Sequence, residues 1–91
     1  MLIRSQDKTA LVNLNDHAIH IEYEREGEYT IYASCKHYLK MGTYSSEENA
    51  IKVLDMIQDA YEKYEYEKAF KTGLRLFDTF QMPEDDEVTE N

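Results

Sequence analysis

Apolar and polar residues alternate in the first half of the chain, with the period of two that is typical of β-strands. The clearest example interleaves three apolar residues with three polar ones: Ile19, Ile21 and Tyr23 with His20, Glu22 and Glu24. Residues 25–27 fit a three-residue hairpin loop, because Gly27 takes a left-handed backbone conformation at little cost. This loop predicts a register that pairs each inward residue with another: Tyr23 with Tyr29, Ile21 with Ile31, and Ile19 with Ala33.

Further strands are predicted on both sides of this hairpin. Residues 2–5 and 9–14 flank a polar turn at residues 6–8, and residues 37–41 form another apolar stretch that ends at Gly42. A polar break at residues 15–16 separates the first hairpin from the second. The first half of the chain therefore predicts one sheet of four or five antiparallel strands.

The apolar spacing then changes to that of an amphipathic α-helix. Ser45 and Glu48 have the spacing of a capping box, in which each side chain accepts a hydrogen bond from the other residue's backbone amide. Ile51 and Met56 are expected to widen the buried stripe of this helix. The stripe itself is spaced by three and four residues: Ala50, Val53, Leu54, Ile57, Ala60, Tyr61 and Tyr64.

The remainder of the chain completes the predicted architecture. The helix is expected to end near residue 71, before Gly73. Residues 74–82 predict a final edge strand, ended by Pro83, and the acidic residues 84–91 predict a disordered tail. The predicted fold class is α+β, with a four- to five-stranded antiparallel sheet packed against one long helix in the C-terminal half. Residues 1–83 are expected to form a single domain.

Charge and cysteine content narrow the function. Nineteen acidic and ten basic residues give a net charge of −9, which disfavours direct nucleic-acid binding because phosphates are repelled. Residues 47–68 carry seven acidic and three basic residues, and the tail adds five acidic residues and no basic one. Such a charge run is either a solvated surface or a surface that binds a basic partner. No apolar run approaches the roughly 20 residues that span a bilayer, and the lone Cys35 indicates a reducing cytoplasm.

No catalytic site, metal site or cofactor is predicted. Two carboxylate pairs lie on predicted solvent faces without a pocket: Glu22 with Glu24, and Asp55 with Asp59. No nucleophile has a recognisable base, and three glycines are too few for a glycine-rich phosphate loop. Zinc is disfavoured because the spacings match no zinc-binding pattern, although four residues have suitable side chains: His17, His20, Cys35 and His37. The chain is therefore expected to be non-enzymatic.

Eight tyrosines and no tryptophan are present. Tyrosine suits a protein interface, because it offers a large contact area and a polar tip. Stacking on single-stranded bases is the rival use, but it requires a basic groove. The pattern assigns Tyr32 to the sheet face away from the core, and Tyr38 and Tyr66 to partly exposed positions. Four tyrosines are assigned to the core: Tyr23, Tyr29, Tyr61 and Tyr64.

Three segments carry a resemblance to known sequences: LIRSQDKTALVNLN at 2–15, MGTYSSEENAIKVLDMI at 41–57, and FQMPEDDEV at 80–88. They are similar to a family of small uncharacterised proteins encoded by phages and prophages of Gram-positive bacteria. Met41 stands where that family usually has leucine, a swap that conserves volume, and residues 66–79 exceed the usual helix-to-strand connection. The resemblance implies a phage-associated accessory protein in the cytoplasm of the bacterial host cell. It transfers no catalytic residue.

Charge and resemblance together favour a stoichiometric inhibitor of a host nucleic-acid-handling or defence protein, of the anti-CRISPR or anti-defence type. Carboxylates spaced along one flank of the helix would mimic DNA in a basic channel of that partner, and exposed tyrosines would add contact area. Six residues are predicted to form the contact: Tyr32, Asp55, Asp59, Glu62, Glu65 and Tyr66.

The alternative hypothesis is a small homo-oligomer, in the simplest case a homodimer, with a structural or ligand-sequestering role. Its subunit contact would be the apolar sheet edge or residues 77–82. Direct nucleic-acid binding is a third hypothesis, disfavoured because four basic residues do not assemble into a predicted basic face: Arg4, Lys8, Lys36 and Lys40.

Overall fold

The computed structural model of the protein describes residues 1–70 and 79–89. These residues form an α+β fold, as predicted. Its elements in chain order are β1 (Leu2–Arg4), β2 (Leu11–Asn13), a short 3-10 helix (Leu14–Asp16), β3 (Ala18–Arg25), β4 (Glu28–Ser34), β5 (Tyr38–Tyr44), α1 (Glu47–Phe70), β6 (Thr79–Gln81) and α2 (Asp85–Val88).

The strands form two three-stranded sheets, so the prediction of a single four- to five-stranded sheet is wrong. The first sheet has the order β2-β1-β6 and the second the order β3-β4-β5. The division falls at the 3-10 helix, where the Asn13 side chain accepts a hydrogen bond from the Asn15 amide at 3.0 Å and the chain turns away before β3 begins. Alternation identifies each strand, but it does not say which strands pair across a polar break.

The first sheet contains the predicted N-terminal hairpin. β1 and β2 are antiparallel, with Ile3 opposite Val12, and both of these residues are buried. The turn between them is held by the Asp7 carboxylate, which accepts hydrogen bonds of 2.7 Å from the hydroxyls of Thr9 and Ser5. These hydrogen bonds, with that of Thr9 the strongest, lower the pKa of Asp7 to about 2.

The third strand of this sheet comes from the C-terminal part of the chain. β6 lies at the edge of the sheet and runs parallel to β1, with Ile3 opposite Phe80. The predicted edge strand is thus confirmed for residues 79–81. Residues 74–78 of that strand, and the predicted helix end at residues 71–73, lie outside the described residues. Met82, which follows β6, donates a hydrogen bond of 3.0 Å from its amide to the Arg4 carbonyl. Its side chain is buried, so the chain contributes to the core directly after this strand.

The second sheet has the register predicted from the hairpin loop. Gly27 has a φ of +78°, the left-handed conformation that glycine adopts readily. A β-bulge follows Tyr23, so that Arg25 lies opposite Glu28. The three predicted pairs are all present: Tyr23 with Tyr29, Ile21 with Ile31, and Ile19 with Ala33.

One expectation about the tyrosines of this sheet is wrong, and so is the predicted end of its third strand at Gly42. Tyr23 is 63% exposed, because it lies near the end of the outer strand β3, where its ring packs beside that of Tyr29 at the margin of the core. Tyr44 is buried, because β5 continues past Gly42 instead of ending there. The Tyr44 hydroxyl donates a hydrogen bond of 2.8 Å to the Pro83 carbonyl, and burial raises the pKa of this phenol.

The cap of α1 lies one residue later than predicted. Ser46, and not Ser45, accepts a hydrogen bond from the Asn49 amide through its hydroxyl at 3.1 Å. The Ser45 amide instead donates to the Asp85 carboxylate at 2.9 Å. The helix therefore begins at Glu47.

The core fills the space between α1 and the inner face of the second sheet and extends to Ile3 and Val12 of the first sheet. Ala50, Val53 and Ile57 are buried in one cluster with Ile31 and Ala33 of β4. Ile51 and Met56 are exposed, so they do not widen the buried stripe as predicted. The other predicted members of the stripe are partly buried against the core, as is Tyr29: Leu54, Ala60, Tyr61 and Tyr64.

The acidic composition of the segment after Pro83 predicted disorder, but this segment is ordered over residues 84–89. Residues 85–88 form α2, and Val88 is only 7% exposed. The Asn49 side-chain amide donates hydrogen bonds to the Asp85 carboxylate at 3.0 Å and to the Thr89 hydroxyl at 2.8 Å. α2 is therefore fixed to the start of α1, while residues 90–91 lie outside the described residues.

Gln6 connects the two sheets. Its backbone amide donates to the Met41 carbonyl at 2.7 Å. Its side chain accepts from the Thr43 amide at 3.0 Å and donates to the carbonyls of Thr43 and Pro83 at 3.2 and 3.1 Å. The outer edge of β5 is consequently covered by the turn of the first sheet.

Candidate functional site

The exposed flank of α1 carries three of the predicted contact residues. Asp55, Asp59 and Glu62 are exposed and follow one another at i, i+4 and i+7, a spacing that places them along one side of a helix. Within the described residues, the carboxylates of Asp55 and Asp59 make no hydrogen bond or ion pair, and Glu62 accepts one hydrogen bond from Gln58 at 3.1 Å. This flank thus presents a row of negative charge to solvent.

Glu65, the fourth predicted carboxylate, is engaged within the helix. It accepts a hydrogen bond of 3.2 Å from the Tyr61 hydroxyl and lies 3.8 Å from the Lys68 ammonium group. The hydrogen bond raises the pKa of Tyr61. Because Glu65 is half-buried and already has two partners, it contributes less negative charge to the flank than the other three residues.

Tyr66 is 61% exposed and lies at the C-terminal end of the acidic row. It lines a shallow depression of about 280 Å³ together with Asp59 and Glu62. Lys63 and Glu67 complete the lining, so one basic side chain is mixed into the acidic surface. The structure thus brings together an aromatic ring and two carboxylates that the sequence pattern assigned to one contact.

Tyr32 lies elsewhere, on the face of the second sheet that points away from α1. Its neighbours in β4, Ile31 and Ala33, face the helix, and successive strand residues face opposite sides. The Tyr32 hydroxyl donates to the Glu24 carboxylate at 2.7 Å, and this hydrogen bond raises the pKa of Tyr32 to about 12. Tyr32 therefore does not form one continuous patch with the α1 carboxylates.

The outer face of the second sheet holds an aromatic cluster that the sequence pattern did not identify as a unit. The ring centroids of His20 and Tyr32 are 5.8 Å apart, those of His20 and Tyr38 5.0 Å, and those of Tyr32 and Tyr38 5.7 Å. The His20 Nε2 atom lies 2.8 Å from the Glu22 carboxylate. Alternation places His20 and Tyr32 on one face, but the approach of Tyr38 depends on the register shift after Ile31.

The arrangement of these groups suits recognition of cations more than bond-making chemistry. Aromatic faces and carboxylates attract guanidinium and ammonium groups. In the described part of the chain, no three His, Cys, Asp or Glu residues are grouped so that they could hold a metal ion. His17, one of the considered ligands, has its Nδ1 atom 2.9 Å from the Asn13 carbonyl, and Cys35 is exposed.

The comparisons with known proteins gave no significant match to a protein-family model, to a curated protein or to a solved structure. No helix within residues 1–70 or 79–89 combines the length and the apolar composition needed to cross a membrane.

Proposed function

We propose that this protein is a small, non-enzymatic accessory protein of phage type that inhibits a host nucleic-acid-handling or defence protein by binding to it. This is the mode of action of anti-CRISPR and other anti-defence proteins that act in the cytoplasm of the host cell. The net charge of −9 and the resemblance of three sequence segments to phage-encoded proteins support this proposal. The observation that carries it is the exposed acidic flank of α1, which ends at Tyr66.

The inhibitor would use the acidic row as a substitute for a nucleic-acid backbone. One face of α1 is buried, so the helix cannot rotate and its carboxylates keep a fixed spacing. Asp55 and Asp59 are separated by a rise of about 6 Å along the helix axis, and Glu62 continues the row. A groove that binds phosphates through Lys and Arg offers complementary charge to such a row.

Tyr66 would supply the apolar part of the contact. Tyrosine is one of the residue types that most often dominate binding energy at protein interfaces. Its position beside Asp59 and Glu62, around the depression of about 280 Å³, would allow a basic side chain to contact the ring and a carboxylate together.

A salt-controlled pull-down tests this proposal. The immobilised protein is expected to capture a nucleic-acid-binding protein from host lysate at low salt, and to release it at high salt because exposed charges are screened. DNA oligonucleotides should compete with the capture. In the purified complex, the captured protein should have lost its nucleic-acid binding.

Two variants with the same net charge separate a specific contact from general attraction. The triple variant Asp55→Asn, Asp59→Asn, Glu62→Gln should weaken binding by roughly tenfold or more. The matched control removes three exposed charges elsewhere, at Asp16, Glu26 and Asp86, and should bind like the unmodified protein. Equal loss in both variants, capture that is indifferent to salt, or a captured protein that still binds nucleic acid would contradict the proposal.

A homo-oligomer with a structural or ligand-sequestering role is the second candidate. One of the two contacts proposed for it loses support, because Met82 is buried in the protein's own core and residue 77 lies outside the described residues. The other contact, a sheet edge, is favoured by the outer edge of β3, which pairs with no strand among residues 1–70 and 79–89.

A further inference from the structure

In the described part of the chain, the second sheet has one covered edge and one open edge. At β5, Gln6 occupies the backbone groups of Met41 and Thr43. At the other side, β3 has no neighbouring strand among the described residues except β4. β3 is also the longest strand that the structure describes, with eight residues. A long strand with unpaired N–H and C=O groups is a template for pairing with another chain.

We infer that this edge binds a second copy of the same chain, with the two β3 strands antiparallel and related by a two-fold axis at Ile21. The second sheets of the two copies would then form one continuous six-stranded sheet. Residues opposite each other in an antiparallel pair face the same side of the sheet. In this register Ile21 lies opposite Ile21 of the other copy, on the side of the sheet that faces the core. The apolar layer of one copy would therefore continue into that of the other.

Hydrogen-bond complementarity between an imidazole and a carboxylate selects this register. It places His20 of each copy opposite Glu22 of the other, on the outer face, and does so twice in the dimer. Within one chain these two groups already form a hydrogen bond, with the His20 Nε2 atom 2.8 Å from the Glu22 carboxylate. The dimer extends this pair into a cluster of two imidazoles and two carboxylates that alternate. Hydrogen-bonded pairs of this kind across neighbouring strands stabilise a sheet.

The neighbouring registers are less favourable. An axis at Glu22 places two glutamates directly opposite each other, and an axis at His20 places two imidazoles opposite each other. If one β3 strand shifts by a single residue against the other, apolar residues of one copy lie opposite polar residues of the other. The core side of one copy then faces solvent.

The exposure of Tyr23 supports the same arrangement. The axis at Ile21 places Tyr23 opposite Ile19 of the other copy, again twice. Tyr23 is 63% exposed in the single chain, and Ile19 is only partly buried. Pairing would cover both side chains, so the dimer accounts for an aromatic residue that alternation places on the core side but that the isolated chain leaves exposed.

Hydrogen exchange of the unmodified protein, read together with sedimentation velocity over a dilution series, tests the inference without any substitution. Every second amide of β3 points to the open edge and should exchange rapidly in the monomer. Those amides should become protected as the protein concentration rises and the sedimentation coefficient increases. A monomer at every concentration would overturn the inference, and so would a dimer whose β3 amides exchange at an unchanged rate.

Charge exchange tests the register. His20→Glu should weaken the dimer by roughly 3- to 30-fold, because it creates two like-charged pairs. Glu22→Lys should also weaken it, because it removes both carboxylates that accept from the imidazoles across the axis. The double variant should restore the dimer, since it places unlike charges opposite each other. Asp86→Lys makes the same charge change at an exposed residue of α2 and should leave the dissociation constant within about twofold.

Circular dichroism confirms that each of these variants is folded before its association is measured. A double variant as weak as the single ones would contradict the axis at Ile21. Because the acidic flank lies on α1, the outcome at β3 is independent of the pull-down result.

Discussion

Two glycines of the second sheet are required for different physical reasons. Gly27 has a φ of +78° and open space around the position of a Cβ atom, so only its backbone conformation demands glycine. At Gly42 a Cβ atom would lie 3.0 Å from the Tyr44 hydroxyl oxygen and 3.3 Å from the Gln6 Cβ atom. The demand at Gly42 is therefore one of space, at the point where β5, the first turn and the Tyr44 ring meet.

Gly42→Ala should accordingly lower the free energy of unfolding by about 1–3 kcal/mol, because the new methyl group overpacks a buried site. Gly27→Ala should cost about 1 kcal/mol through its left-handed backbone alone. Urea unfolding measures both values. The distinguishing comparison is asparagine, which tolerates the left-handed conformation. Asparagine should lower the free energy of unfolding less than alanine does at Gly27, and more than alanine does at Gly42. The reverse order would refute this assignment.

The Asp7 turn predicts a specific dependence of stability on pH. Hydrogen bonds from Thr9 and Ser5 lower the pKa of Asp7 from 3.8 to about 2 in the folded protein. A lowered pKa means that the ionised carboxylate stabilises the folded state above pH 4, and that this contribution is lost as the pH falls toward 2. Asp7→Asn should be less stable than the unmodified protein at neutral pH, and the two stability curves should converge near pH 2.

Thermal unfolding over this pH range measures both curves, and curves that stay parallel would show that Asp7 does not titrate as stated. As the control for this comparison, Asp16→Asn changes an exposed carboxylate outside the turn and should leave the difference between pH 4 and pH 2 unchanged.

At the scale of elements, the attachment of α2 to α1 is the least expected feature. The buried side chain of Asn49 donates to Asp85 and Thr89, and the Ser45 amide adds a second donor to Asp85. Burial raises the pKa of Asp85, but the hydrogen bonds from Ser45 and Asn49 outweigh it, so the pKa lies below its ordinary value. A short acidic segment is thus held in place by donors at the beginning of the long helix.

Asn49→Ala should destabilise the protein by about 1–3 kcal/mol, because it removes both part-buried hydrogen bonds that the buried Asn49 amide donates to Asp85 and Thr89. Gln58→Ala is the matched control, since Gln58 also donates from a side-chain amide to a carboxylate, but on the exposed surface of the same helix. It should cost no more than about 0.5 kcal/mol. Chemical denaturation of both variants gives the comparison, and equal losses would mean that the Asn49 contacts do not hold α2.

The elements also show which parts of the structure local patterns determine. The register between β3 and β4 was predictable because the loop with Gly27 joins the strands directly and each residue's partner is close in sequence. The parallel pairing of β1 with β6 was not predictable, because it depends on residues far apart in the chain. The same holds for α2, since its composition is that of a solvated tail and only tertiary contacts with Asn49 fix it.

The candidate site follows the same division. Helical spacing was sufficient to place Asp55, Asp59 and Glu62 on one flank, because that relation is set within a single element. Alternation assigned Tyr32 to the outer sheet face, but it could not show that this face is remote from the acidic flank. The engagement of Glu65 by Tyr61 and Lys68 depends on side-chain conformations that the spacing leaves undetermined.

At the scale of the whole molecule, the acidic flank and the open edge of β3 belong to different layers of the fold. α1 covers one face of the second sheet, and β3 forms one side of that sheet. Pairing through β3 would therefore leave the flank of each copy accessible, and a dimer would carry two acidic rows. Two linked contacts bind more tightly than one when a partner can engage both.

The parallel pairing of β1 with β6 has a consequence for how the protein is made. Gln6 and Pro83, which share a hydrogen bond, are 77 positions apart in the chain, so the first hairpin emerges from the ribosome long before its third strand exists. The apolar residues of this hairpin stay exposed until β6 has been translated. Contacts of such long range slow folding, and a nascent chain stalled before residue 79 would therefore be a natural substrate for chaperones and proteases.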